Sequence, residues 1–402
     1  MPLRFPPLNT RQHQPPCVRS EVTTSCTQSM EDSLLKTLGT CLIALTALLN
    51  YSVHAQSAFT IVGPEYKDVP GQVFEIPNMP RIRNQRPLGL CQAFAGATLL
   101  QKQYCDQEKI SNCAQIPANE EISPLHVWSY ISTNIAGQTK GERHNHRHIS
   151  IDNLVGVFEE NKGKIFSGAI ILNMRKDGIS LCSEANFSYD QFMSRFGQSE
   201  ESVRAILSQL KRTYEAQKAR LEAEPSNLCE SCLKETAIVL STVLPRPPTT
   251  DVDLKMVKRG LTRETFGEFL FESFFYKCDK ISMKFPIFRY FPGIGESASK
   301  QQLKQKIAEV IKSGHPIAFN SLCVDKSAKD GCGTHEIIIS GFKKTCTNSG
   351  KCIDQLKVHN SWGQSWQNQY TNSGWINADN LVNSYLAEPV TGQALVWLQN
   401  PN

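Results

Sequence analysis

The pattern of apolar and polar positions changes character along the chain. Leu38 to Leu49 is an almost continuous apolar block. From Cys91, the positions Phe94, Ala97, Thr98 and Leu99 recur at helical spacing, which predicts a helix that starts at Cys91 and packs into a core. ISPLHVWSYI, residues 122 to 131, reads as a second helix opened by Ser-Pro. From Glu200, ESVRAILSQLKRTYEAQKARLEAE sets Val203, Leu207, Leu210, Tyr214 and Leu221 on one stripe, an amphipathic helix that breaks at Pro225. A Phe-rich helical stretch lies around Phe266 to Phe275. The last third differs: the polar helix SKQQLKQKIAEVIKSG leads into HPIAFNSLC and then three strand-like runs, HEIIISGF, LKVHNSW and SGWINADNL. In the second run a period of two puts Leu356, Val358 and Asn360 on one face and Lys357 and His359 on the other.

The apolar block is too short to span a bilayer, which takes about 20 residues. It follows Met30, and Val53 and Ala55 are the small residues a signal peptidase reads, so the expectation is a secretory signal cleaved after Ala55. A short buried core helix is the other reading of the block, and translation can begin at Met1 or at Met30. With 402 residues, 40 % hydrophobic, the chain can bury a substantial core. A net charge of +5 with no long Lys/Arg run interleaved with aromatics gives no support to nucleic acid as a partner.

Export changes the cysteine count. Removal of Cys17, Cys26 and Cys41 leaves 11 of the 14 cysteines, an odd number in an oxidising compartment that pairs them. One thiol is therefore left over. Cys91, after Leu-Gly-Leu and at the start of a predicted helix, sits where unpaired backbone N–H groups favour a thiolate; the alternatives are a small buried hydrophobe or half of a disulfide. A cysteine nucleophile needs a base, and the base needs an orienting group. His335 heads one apolar strand and Asn360 ends another, so paired strands could bring imidazole and amide together, while His359 points to the opposite face. His144, His146 and His148 alternate in a polar stretch that reads as solvated, and CESC at 229 to 232 reads as a structural disulfide.

Three separated motifs resemble the papain family of cysteine peptidases in the family's order: NQRPLGLCQAFA, GTHEIIISGF, and VHNSWGQSW followed by GWINADN. The resemblance implies Cys91 as nucleophile, His335 as base and then acid, Asn360 as its orienter, Gln85 as oxyanion-hole donor beside the Cys91 backbone N–H, and Trp362 as a shield over the His–Asn bond. It covers roughly residues 66–190 and 297–400. Leu90, Gln92 and Glu336 depart from it: members usually carry an aromatic after the nucleophile, often Gly-Ser before it, and a small apolar residue after the histidine.

The fold implied is α+β, a papain-like two-domain arrangement with a helical left domain, an antiparallel β-sheet or barrel right domain, and the active-site cleft between them. The expected organisation is an extension and signal at 1–55, a short lead-in segment at 56–84, the left domain at 85–194, a helical insertion at 195–296 and the right domain at 297–402. The implied activity is peptide hydrolysis through a thioester, needing no cofactor or metal, on a peptide or protein substrate, by a monomer without a stable membrane anchor. The alternatives are an acyl transferase using the same thioester and a catalytically weak papain-like binding protein. Local spacing pairs Cys105 with Cys113, Cys229 with Cys232, Cys323 with Cys332 and Cys346 with Cys352, leaving Cys182 and Cys278 to bridge across the insertion and Cys91 free.

Overall fold

A computed structural model of the chain describes residues 58–86, 88–130, 180–185, 188–196, 199–223, 278–293, 296–325, 333–387 and 393–401, with scattered positions between 231 and 275. The chain divides into two units, 1–53 and 54–402, and every described residue belongs to the second. The expected signal segment, the His144 to His148 tract, Cys229, Cys232 and Cys332 lie outside the described residues.

The second unit is α+β, built on a mostly antiparallel sheet. In chain order the sheet strands are β1 (Lys67–Glu75), β4 (Ile287–Phe291), β5 (Ile317–Asp325), β6 (Gly333–Cys346), β7 (Cys352–His359), β8 (Trp375–Asn377) and β9 (Leu395–Gln399). They lie in the order β4-β9-β5-β6-β7-β8, with β1 added along β6. A separate pair, β2 (Ser180–Cys182) and β3 (Lys280–Ser282), completes the described strands. The main helices are α1 (Cys91–Gln107), α2 (Pro124–Trp128), α3 (Tyr189–Phe196), α4 (Glu200–Ala223), α5 (Lys300–Lys312), α6 (Gln364–Tyr370) and α7 (Ala378–Leu386).

Strand alternation sorts the sheet's side chains into two cores. Ala318, Ile338, Val396 and Leu398 join the core built with Phe94, Leu99 and Leu100 of α1. Their neighbours Ile317, Phe319, Ile337, Ile339, Leu395 and Trp397 join Leu303, Ile307 and Val310 of α5 and Leu381 and Val382 of α7 in the other. Each fully buried Leu, Ile or Phe stabilises the fold by about 2 kcal/mol.

Helix α1 starts at Cys91, as the spacing predicts, but it is buried far beyond one stripe: Gln101, Lys102 and Gln103 are also inside. These polar groups keep partners. Gln101 accepts the Ile122 N–H at 2.6 Å, and Lys102 pairs with Asp106 across one turn. α5 owes its sharp start to a capping box of Ser299 and Gln302, a motif contributing about 1 kcal/mol.

Two expectations change. SGWINADNL is a strand only over Trp375–Asn377; the Asn377 side chain accepts the Asn380 N–H at 3.1 Å and starts α7, whose buried Ala378, Leu381, Val382 and Tyr385 have helical spacing. The stretch 195–296, expected to be helical, includes β3 and β4, and β4 is an edge strand of the main sheet paired with β9. α4 buries Val203, Leu207, Leu210 and Tyr214 in the same core as α1, so this stretch shares that core. Its base is closed by the β2–β3 pair and by Cys182–Cys278, whose separation of 96 residues corresponds to roughly 4 to 5 kcal/mol in the chain-entropy account. Cys105–Cys113 and Cys346–Cys352 are also formed, and Cys323 is disulfide-bonded. Among the described residues no helix is long and apolar enough to cross a membrane.

Candidate active site

Cys91 is the free cysteine among the described residues, and it is buried. It opens α1 without a capping side chain from Leu90 and without an acidic residue in the first turn, so nothing on the helix itself competes for the first N–H groups. Its sulfur lies within hydrogen-bonding reach of the backbone N–H of Glu336, one residue along β6 from His335. The sequence motifs containing Cys91 and His335, 244 positions apart, are thus brought together by α1 packing on β6.

His335 Nε2 lies 2.8 Å from Asn360 Oδ1. The amide oxygen only accepts, so Nε2 carries the proton and Nδ1 keeps the lone pair that a base needs. Both residues are inside, His335 at 4 % and Asn360 at 0 % exposure. Trp362 stacks on the imidazole with ring centroids 4.3 Å apart and 22° between planes, covering it from water. His359 lies elsewhere, as its strand face predicts: one ring nitrogen donates to the Arg81 carbonyl, and Nε2 is buried.

Gln85 is fixed by the same segment. Its N–H donates to the Ser361 carbonyl at 2.7 Å, Ser361 Oγ donates to its Oε1 at 2.5 Å, and Tyr189 Oη donates to its carbonyl. Gln85 Nε2 donates to the Leu88 carbonyl at 2.9 Å. That bond engages one of its two amide hydrogens. The contributions of Ser361 and Tyr189 are absent from the sequence reading. Ser361 is marked by its place between Asn360 and Trp362, and Tyr189 by closing the segment SEANFSY, but its bond to Gln85, 104 residues away, has no local pattern. A pocket of about 280 Å³ opens beside Trp362, lined also by Phe94 and Tyr189 and by the charged Arg83, Arg86, Glu184 and Asp190.

Burial governs the charges. It pushes the Cys91 thiol up to about 12, helped by the Glu336 carboxylate, against the lowering effect of the nearby backbone N–H groups. The thiolate expected from the helix start is therefore outweighed by desolvation. Burial likewise holds His335 down to about 4, opposed by its bond to Asn360. Burial thus favours the thiol of Cys91 and the neutral imidazole of His335.

The buried histidines also set the acid stability. Burial lowers His126 to about 3 and His359 to about 4, alongside His335 at about 4, from an ordinary value of 6.5. Above pH 6.5 these groups are neutral folded or unfolded. As pH falls from 6.5 to about 4, the unfolded chain binds three protons that the folded chain refuses, so stability declines. Glu184, raised to about 7 by burial, works in the opposite sense with one proton. Melting temperature measured from pH 8 to pH 4 should hold near neutrality and then fall; a flat or rising curve would show that the histidines are not buried as neutral groups.

No family model matches the chain, and no curated protein matches its sequence. Among solved structures, PepW from Lactobacillus rhamnosis HN001 (DR20) is similar at 12 % identity and a TM-score of 0.37, over 94 % of this chain and 92 % of that chain. A likeness that slight carries no argument about fold or activity.

Proposed function

We propose that the chain is an exported papain-like cysteine peptidase with Cys91, His335 and Asn360 as its triad. The supporting observation is the His335–Asn360 hydrogen bond beneath Trp362, with the unpaired Cys91 sulfur against the next residue of the same strand. The disulfides fit an oxidising compartment, which accords with export. The helical core around α1 and the sheet core around α5 and α7 would be the two domains, with the cleft at Trp362.

In this reading the Cys91 sulfur attacks the carbonyl carbon of a peptide bond while its proton passes to Nδ1 of His335. The carbonyl π pair moves to oxygen, and the oxyanion meets the Cys91 backbone N–H and the second amide hydrogen of Gln85. Collapse expels the amine, which takes the proton from His335, and leaves a thioester on Cys91. Water then adds to the thioester, gives a proton to His335, and the carboxylic acid departs as the thiol regains its proton. Asn360 holds the ring in the tautomer that both steps need.

Incubation of the purified chain with a peptide library, with and without added amine, tests the reading. Hydrolysed products with new N-termini in both conditions are expected. Amide products that dominate when amine is present would instead assign acyl transfer, and intact peptides throughout would leave a binding protein.

A further inference from the structure

The described chain opens with a segment, residues 58–62, that lies against the candidate site. Ala58 and Val62 are buried at 1 % and 8 % exposure, and Phe59 at 4 %. Thr60 ties the segment to the start of α7: its carbonyl accepts the Asn377 N–H at 2.9 Å and its Oγ1 accepts from Asn380 Nδ2 at 2.8 Å. Phe59 is thereby held edge-on to two tryptophans, with centroids 5.7 Å from Trp362 and 5.0 Å from Trp366. Those two rings meet each other at 5.0 Å and 85°. Trp362 thus touches three rings: Phe59, Trp366 and the His335 imidazole.

Aromatic pairs of this geometry contribute about 0.5 to 1.5 kcal/mol beyond area burial. Here they also fix a position, because a Trp362 free to rotate would uncover the buried His335–Asn360 bond. We propose that Phe59 is a positioning residue for the candidate triad: it wedges Trp362 against His335, so that the short N-terminal strap works as part of the site. This rests on the peptidase reading for its consequence in turnover, though its structural claim concerns only His335.

The test compares the chain with Phe59→Ala, Phe59→Val and Phe59→Leu variants, reading the His335 acid midpoint by NMR titration of the labelled ring and the pH profile of kcat/KM on a cleaved peptide. Cys91 and Glu336, the ionisable neighbours on α1 and β6, stay in place in every variant. Water admitted to the ring weakens the desolvation that favours the neutral form, so the midpoint should rise toward the ordinary histidine value, by about one pH unit in Phe59→Ala. The acid limb of kcat/KM should move up with it, and turnover at neutral pH should fall about tenfold. Phe59→Leu should restore most of both, with Phe59→Val between. If Phe59→Ala does not fold, the ranking of Val and Leu against the parent still decides. Variants that melt at lower temperature but keep the parent's His335 midpoint and pH profile would overturn the proposal, leaving Phe59 as packing only. The titration needs no substrate, so a parent chain that cleaves nothing overturns the peptidase reading while the His335 midpoints still judge Phe59.

Discussion

Cys91→Ala should lower turnover by about four orders of magnitude or more while leaving the fold intact. The thiol is 4 % exposed at the first position of α1, and no disulfide depends on it. Alanine has the highest helix propensity, and the lost sulfur leaves only a small void, so the stability change should be about 1 kcal/mol. Activity on a cleaved peptide and a thermal melt, measured on the same preparation, check both halves. Near-parental turnover in the variant would remove Cys91 from the mechanism.

His335→Ala should be nearly as severe, with a loss of about 10³ to 10⁴, because the thiol is pushed up to about 12 and cannot ionise appreciably near neutrality without a base to take its proton. The variant also strips the Asn360 amide oxygen of its partner at 0 % exposure, so its melting temperature should drop as well. Asn360→Ala should cost less turnover, since it loses the ring's orientation but keeps the proton acceptor. His359→Ala should leave turnover standing, because that imidazole is bonded to the Arg81 carbonyl and not to the site. The ratio of kcat values among the three variants checks the assignment. Equal losses in His335→Ala and His359→Ala would contradict it.

Much of the candidate site's geometry was legible because local patterns set it. The helix opening at Cys91 follows from the apolar spacing after it, and the separation of His335 and Asn360 from His359 follows from strand parity. The Cys182–Cys278 bridge followed from elimination once the short-range pairs were assigned. What the sequence hid was set by distant contacts. Burial, which overrides the helix start in fixing the charge of Cys91, comes from the packing of α1 on β6 and has no local signature. The strand Ile287–Phe291 passed for part of a helical block because its pairing with β9 is long-range, and its residues show little one-sided burial. SGWINADNL shifts from strand to helix at Asn377 through one capping bond that an alternating pattern masks. Phe59 gave no signal at all, since its partners Trp362 and Trp366 lie some 300 residues further on.

The proposed peptidase activity turns on a thioester at Cys91. Acid quench of the purified chain during turnover of an activated ester substrate, followed by intact mass and peptide mapping, tests it directly. One acyl group per chain is expected, located on Cys91, removed by hydroxylamine and absent in Cys91→Ala. An acyl group on another residue, or turnover of the activated ester with no covalent species at any quench time, would contradict it.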